Sequence, residues 1–289
     1  MKALYKHELS SLFTSFVAYI VTAVMVIFAG VFTSYICLKG HMGQFDYVLG
    51  NMSFVYVLIV PVLTMRSFAE ERRQKTDQLL YSLPLGSVKI VLAKYFALLT
   101  VLLIPTVIIG LFPFVIIQYG MLNLAATYAA LLGFFFLGAS LIAVGLFISS
   151  ITENQIIAAI ITLGILLLNY LLASISTILV SAAAYVSLIG FVVFALLFGL
   201  IVFLVTKSWI AGVITGVVLA GAVGVTYLIK PNSYANLLMI VVRESSLFDR
   251  FYDFMYEILK IGDLLIFAGV AVVFIVMSIQ SLERRRWGE

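Results

Sequence analysis

The sequence predicts an all-α polytopic membrane bundle of about eight transmembrane helices, with an N-terminal interfacial helix and an extracytoplasmic amphipathic helix. Three observations predict it. Of 289 residues, 64% are hydrophobic and only 10% charged, against about 25% charged in an ordinary soluble domain. The mean hydropathy of +1.21 is too high for a solvated, disordered chain. The charges cluster between long uncharged runs, and a Lys, Arg or Asp at the centre of a span costs about 2.5–3.5 kcal/mol to insert. Those runs are therefore the spans, and residues 1–289 form one transmembrane domain.

Residues 1–16 place Leu4, Tyr5, Leu9, Leu12, Phe13 and Phe16 on one broad helical face, with His7, Ser10, Ser11 and Thr14 opposite and Lys6 and Glu8 along the edges. That pattern suits a helix lying in the inner interface. A cleaved signal peptide is disfavoured, because the apolar run is too long and no clear small-residue cleavage site follows it. No charge occurs from Leu9 to Leu38, which predicts a first span at about 17–37. A second fits at 48–65, ending at Arg66. The uncharged stretch from Tyr95 to Thr152 holds two, about 95–118 and 124–149, parted near Tyr119, Gly120 and Asn123. Pro105 and Pro113 would permit a kink in the third. Glu153, Asn154 and Gln155 close the fourth, and 156–174 and 183–205 follow with Ser174, Ser176, Thr177 and Ser181 at the turn. The last two are 210–229 and 264–282. Between them, in 230–263, Leu247, Phe248, Phe251, Phe254, Met255, Ile258 and Leu259 recur at helical spacing opposite Asp249, Arg250, Asp253 and Glu257.

The positive-inside rule orients these spans. Six basic residues (Arg66, Arg72, Arg73, Lys75, Lys89, Lys94) outnumber three acidic ones (Glu70, Glu71, Asp77) in the 66–94 loop, which is expected to be cytoplasmic. Lys2, Lys6, Lys207, Arg284, Arg285 and Arg286 then fall on the same side, so both termini face the cytoplasm of a cell (plasma or inner) membrane. The net charge of +4 is thus read as topology rather than nucleic-acid affinity.

The sequence also excludes chemistry. Cys37 is alone and cannot form an internal disulfide, and His7 and His41 have no metal-ligand spacing. The predicted span cores contain no Asp, Glu, Lys, Arg or His, only groups such as Thr100, Thr106, Ser140, Thr162 and Asn169. A proton- or ion-coupled transporter needs ionisable groups at that depth, and an intramembrane enzyme needs an acid, base, metal or activated nucleophile. No G-x-x-x-x-G-K-[ST] phosphate loop is present, so no catalytic or cofactor site is expected in this chain. Energy would come from a separate ATPase. The 66–94 loop reads EERRQKTDQLLYSLP from Glu70 to Pro84, with Leu79, Leu80 and Leu83 at one-turn spacing before Pro84 and Gly86. From the residues alone it is either a solvated connector on the inner leaflet or a helix that docks a partner.

At this loop the chain resembles the ABC-2 type transporter permeases, the gliding-motility permease-like branch especially, through PVLTMRSFAEERRQKTDQLLYSLP from Pro61 to Pro84. SSITENQIIAAIIT from Ser149 to Thr162 is similar to the family's turn between its fourth and fifth helices. FDRFYDFMYEILKIGDLLIF from Phe248 to Phe267, then SLERRRW from Ser281 to Trp287, resemble its outer helix, last span and basic terminus. The resemblance implies that two permease chains pair as a homo- or heterodimer and that each binds one cytoplasmic ABC ATPase subunit, which would hold ATP and Mg. It implies an ATPase-coupling role for Glu70, Glu71, Arg72, Thr76, Leu79, Leu80, Leu83 and Pro84, and a secondary cytoplasmic contact for Glu153, Asn154 and Gln155. Lys75 stands where the family usually has glycine, and Gln78 where it usually has an acidic residue.

The expected function is a permease subunit of an ATP-driven exporter. An uncharged translocation surface suits an amphipathic or hydrophobic cargo rather than an inorganic ion. The alternatives are a non-transporting membrane scaffold or regulator, and a secondary transporter working alone.

Overall fold

The structure, a computed structural model, describes residues 2–39, 44–74, 86–118, 122–179, 188–192, 194, 213, 215, 217–221, 237–256 and 260–288. Every regular element among them is helical. In chain order they are α1 (Lys2–Thr14), α2 (Val17–Thr33) running on as a π-helical turn (Ser34–Lys39), α3 (Phe45–Thr64), α4 (Ala69–Arg73), α5 (Ser87–Ile109) and α6 (Phe112–Ile116). Then come α7 (Leu124–Ile151), α8 (Gln155–Leu179), α9 (Leu237–Ser245), α10 (Leu247–Tyr252), a 3-10 turn (Asp253–Tyr256) and α11 (Ile261–Gly288). Six stretches among the described residues are long and apolar enough to cross a membrane: Val17–Lys39, Phe45–Arg73, Ser87–Ile116, Leu124–Ile151, Gln155–Ile175 and Ile261–Arg285. They correspond to the expected spans one to five and eight. The expected spans at 183–205 and 210–229 lie mostly outside the described residues. The chain is a multi-pass membrane protein.

Helix ends differ from the expected ones for identifiable reasons. The third span was expected to start at Tyr95, behind the charge of Lys94, yet α5 begins at Ser87 and carries both Lys89 and Lys94. The 66–94 loop is accordingly helical at both ends, in α4 and in the first turns of α5. At its other end α5 stops at Ile109, and the chain breaks at Gly110 and Leu111 before α6. Pro105 is accommodated inside α5, whereas Pro113 sits in the first turn of α6, where a missing N–H leaves no helical bond unmade. Of the turn expected at Ser174, Ser176, Thr177 and Ser181, the first three are part of α8, and Ser181 lies outside the described residues. Hydroxyl side chains can bond back to the preceding turn and so do not break a helix in an apolar medium. The stretch expected as one amphipathic helix from Leu247 is α10 tightening into the 3-10 turn as far as Tyr256, and Glu257, Ile258 and Leu259 lie outside the described residues.

The chain divides into two compact units, 1–170 with 250–289, and 171–249. In the first, side-chain bonds fix the helix directions. Tyr56 of α3 donates to the Phe134 carbonyl of α7 at 3.1 Å, and Thr64 lies against Gly145, so α3 and α7 run parallel. Tyr95 of α5 donates to the Ala139 carbonyl and Tyr128 of α7 to the Gly110 carbonyl, both at 3.1 Å, so α5 runs against α7. Phe147 meets Phe274 at 5.7 Å, and Ser281 donates to the Ser150 carbonyl at 3.2 Å, so α11 is parallel to α7. α7 is the hub, with α3, α5 and α11 packed around it.

Close approach to α7 depends on missing side chains. A Cβ on Gly138 would come within 2.8 Å of the Tyr56 ring and 2.7 Å of Leu102, and one on Gly145 would collide with the Thr64 hydroxyl. Small residues let apolar helices approach in a medium that supplies no hydrophobic drive between them. The same device holds the 250–256 segment: Phe254 fills the notch at Gly133, Met255 that at Gly50, and Phe251 packs on Phe134 at 5.9 Å. Arg250 pairs with Asp263 at 3.1 Å and Asp253 with Lys260 at 2.6 Å, tying this segment to the start of α11.

In the second unit, the Ser246 hydroxyl accepts from the Asp249 N–H at 3.2 Å and caps the start of α10. Arg243 lies 3.9 Å from Asp249.

Gly145→Val should force α3 away from α7 and destabilise the protein by about 1–3 kcal/mol. Gly30→Val, at a helical site with nothing within 4 Å, should leave stability unchanged. Thermal unfolding of the two purified variants in detergent checks this.

Candidate functional site

Glu71, Arg72 and Glu153, three of the residues that the sequence marked for coupling, lie where α3, α5 and α7 present one common end. α3 stops at Thr64, and Met65, Arg66, Ser67 and Phe68 turn the chain into α4. The start of α4 has no capping side chain of its own. The hydroxyl of Ser149, fully buried on α7, accepts from the N–H groups of Phe68 at 3.1 Å and Ala69 at 3.2 Å instead. Unmet N–H groups at a helix start need such a partner, and here it comes from another span, which fastens α4 to α7.

α4 carries Glu70 and Glu71 in its first turn and Arg72 and Arg73 in its last, complementing the helix dipole. Arg72 is buried, and its guanidinium donates to the Thr152 carbonyl at the end of α7 at 3.2 Å. Glu71 turns toward α5, where the Lys94 ammonium donates to it at 2.6 Å and to Glu8 of α1 at 2.7 Å. Lys94 is 1% exposed, and its ammonium also lies 5.2 Å from the centre of the Phe68 ring. A second contact along the same helices, Tyr5 to Thr100 at 2.8 Å, lays α1 against α5. Three elements far apart in sequence thus share one buried cation. Glu70 and Arg73 lie on the more open side of α4, where Glu70 accepts from Gln74 at 3.4 Å.

The turn after α7 forms the neighbouring part. Glu153 is 77% exposed and pairs with Arg285 of α11 at 3.4 Å, while Arg285 also donates to the Ile151 carbonyl at 2.7 Å. The Asn154 side chain accepts from the Ile156 N–H at 2.9 Å, capping the start of α8, where Gln155 is the first helical residue.

Of the expected coupling residues, Glu71, Arg72 and Glu153 are therefore held on one assembly of helix ends, with Glu70 on its open side and Asn154 and Gln155 shaping the turn. Thr76, Leu79, Leu80, Leu83 and Pro84 lie outside the described residues. Sequence reasoning missed Lys94, Glu8, Ser149 and Arg285 as parts of the site. Lys94 did carry a signal: a lysine directly following Val91, Leu92 and Ala93 and preceding a long uncharged run needs a partner.

Lys94→Met leaves Glu8 and Glu71 facing each other without their cation, and should cost about 3 kcal/mol of stability. Adding Glu8→Gln and Glu71→Gln to it should recover most of the loss, because a neutral trio carries no uncompensated charge. Unfolding midpoints of the single and triple variants give the comparison.

Among the described residues, Lys94, Glu8, Glu71, Arg72, Glu153 and Arg285 are engaged with one another or with backbone carbonyls. The cluster fastens a short helix to the ends of α5 and α7 beside the end of α3. Comparison with known proteins agrees in kind. Residues 38–186 match the model of the family described as ABC-2 family transporter protein, a stretch that includes α3 to α8, α4 and the Glu153 turn. No curated protein and no solved structure matches the chain. With more than half of its length covered by that match, and with its multi-pass helical fold, the chain belongs to the ABC-2 transporter family, as a membrane transport component rather than a catalytic one.

Proposed function

We propose that this chain is the permease subunit of an ATP-driven exporter of the gliding-motility permease-like branch, moving an amphipathic or hydrophobic cargo across the cell membrane. Two permease chains pair, and each seats one cytoplasmic ABC ATPase, which holds the ATP and Mg. Both termini and the α4 end of the bundle face the cytoplasm. The observation that carries this reading is the convergence of Glu71, Arg72 and Glu153 on the ends of α3, α5 and α7. A load applied to α4 reaches α7 through Ser149 and Arg72, and α5 and α1 through Lys94. A solvated connector has no need of a buried ammonium or of a cap borrowed from another span.

The segment that follows α4, with Thr76, Leu79, Leu80, Leu83 and Pro84, supplies the apolar face that enters the ATPase, and Glu70 stands at its near edge. Glu153, Asn154 and Gln155 make the lesser contact beside it. Helix directions are compatible with the count of eight spans, as with any even count. α7 and α11 are parallel, and Tyr170 of α8 meets Phe54 of α3 at 5.2 Å, near the level of Phe134 and far from the end of α7 where α8 starts, so α8 runs against α7. An even number of crossings must then separate α8 from α11, and the two spans expected from the sequence at 183–205 and 210–229 supply it.

ATP binding draws the two ATPases together, moves both loop helices, and through the joint tilts α3 and α5 against α7 to open or close a path between the paired permeases. The uncharged interiors of the spans suit a cargo that is itself largely apolar.

Replacing Leu79 and Leu80 by Asp should abolish co-purification of the ATPase while leaving membrane insertion intact. Undiminished co-purification contradicts the docking assignment. A pull-down from membranes of cells co-expressing the neighbouring genes reads both outcomes.

A further inference from the structure

We propose that the cavity between the ends of α7 and α11 binds the phosphate headgroup of an anionic membrane phospholipid. The cavity is an open cleft of about 630 Å³, a volume in the range of small-ligand sites. Its walls change character along α11. Met277 lies at one level with Phe147 and Ile151 of α7, Ser281 lies one turn on, and Arg284 and Arg285 lie one turn further. Residues at these spacings share one helix face. The face therefore passes from apolar through hydroxyl to cationic within two turns, which is the polarity order of a phospholipid from acyl chain to phosphate.

The two arginines are not equivalent. Arg285 is held in place by the Ile151 carbonyl at 2.7 Å and by Glu153 at 3.4 Å, so part of its charge is already met. Arg284 is exposed and has no ion pair among the described residues. The site thus keeps about one unanswered positive charge, fitting one phosphodiester. A zwitterionic headgroup would bring its own cation against the guanidinium. Arginine also suits a phosphate by presenting a planar fork of donors. Basic pockets between spans are a recurring way of holding anionic headgroups. Attraction of the basic terminus to any anionic surface is the rival explanation, and it differs in one respect: it has no use for the apolar wall formed by Phe147, Ile151 and Met277.

The test is native mass spectrometry of the full chain in detergent, titrated with phosphatidylglycerol, with phosphatidylcholine, and with glycerol phosphate as a soluble competitor. Binding in detergent does not depend on which way the chain faces in the membrane or on the ATPase, so its failure leaves the permease reading intact. Wild type should bind phosphatidylglycerol in preference to phosphatidylcholine, and Arg284→Ala should bind it about fivefold more weakly, the share of one surface cation. Met277→Trp, which fills the apolar wall and keeps the charge, should weaken it at least as much. Lys6→Ala, which removes a cation elsewhere, should change nothing. Equal binding by Arg284→Ala and wild type, or equal binding of the two lipids, overturns the proposal. Loss on Lys6→Ala equal to that on Arg284→Ala, or full displacement by glycerol phosphate at the lipid's own concentration, overturns it too. Should Met277→Trp not fold, as its melting curve will report, the exposed Arg284→Ala still decides.

Discussion

A buried ammonium is tolerable only where anions surround it, and that requirement organises the functional end of this protein. Lys94 cannot reach water from its place on α5, so Glu71 and Glu8 must come to it. Bringing Glu71 there orients α4, and orienting α4 turns Arg72 toward the end of α7 and sets the first N–H groups of the helix on Ser149. Bringing Glu8 there lays α1 along α5. The connection from span to loop is thus built from charge neutralisation and helix capping, both directional. Together these bonds fix the orientation of α4 on the spans.

Beside this joint the spans form a closely packed body. α7 is approached closely by α3 and α5 because glycines leave room for Tyr56, Leu102 and Thr64, and buried tyrosines bridge helices through backbone carbonyls. In hydrocarbon such bonds compete with no water. At the opposite end, Phe254 and Met255 enter glycine notches on α7 and α3, so the 250–256 segment follows those two helices. The second unit, 171–249, begins within α8 and includes α9 with the start of α10.

Much of the fold was legible because charge is expensive in a bilayer. Uncharged runs located spans one to five and the last one, and the observed helices overlap all of them. The errors lie where that rule has exceptions. Lys94 was placed outside a span because it is charged, whereas its two carboxylate partners allow α5 to begin at Ser87. Ser174, Ser176 and Thr177 were read as a turn because they are polar, although hydroxyls fit within a helix. At the site, Glu71, Arg72 and Glu153 were legible from short local patterns. Lys94 with Glu8, and Ser149 with Phe68, were not, since each pair is separated by more than 80 positions and no helical or strand period links them. Arg285 was legible as a topological charge but not as the partner of Glu153. A single sequence records that a charge is present; its partner is set by how the spans pack.

The central claim is that this chain works as one of two permeases driven by cytoplasmic ATPases. The most direct measurement is the intact mass of the complex, purified gently in nanodiscs after expression with the neighbouring genes, with and without ATP. Two permeases with two ATPases is the predicted composition, and the masses will say whether the two permeases are identical. A chain that emerges alone, or bound only to proteins without an ATPase, contradicts the account and points to a membrane scaffold.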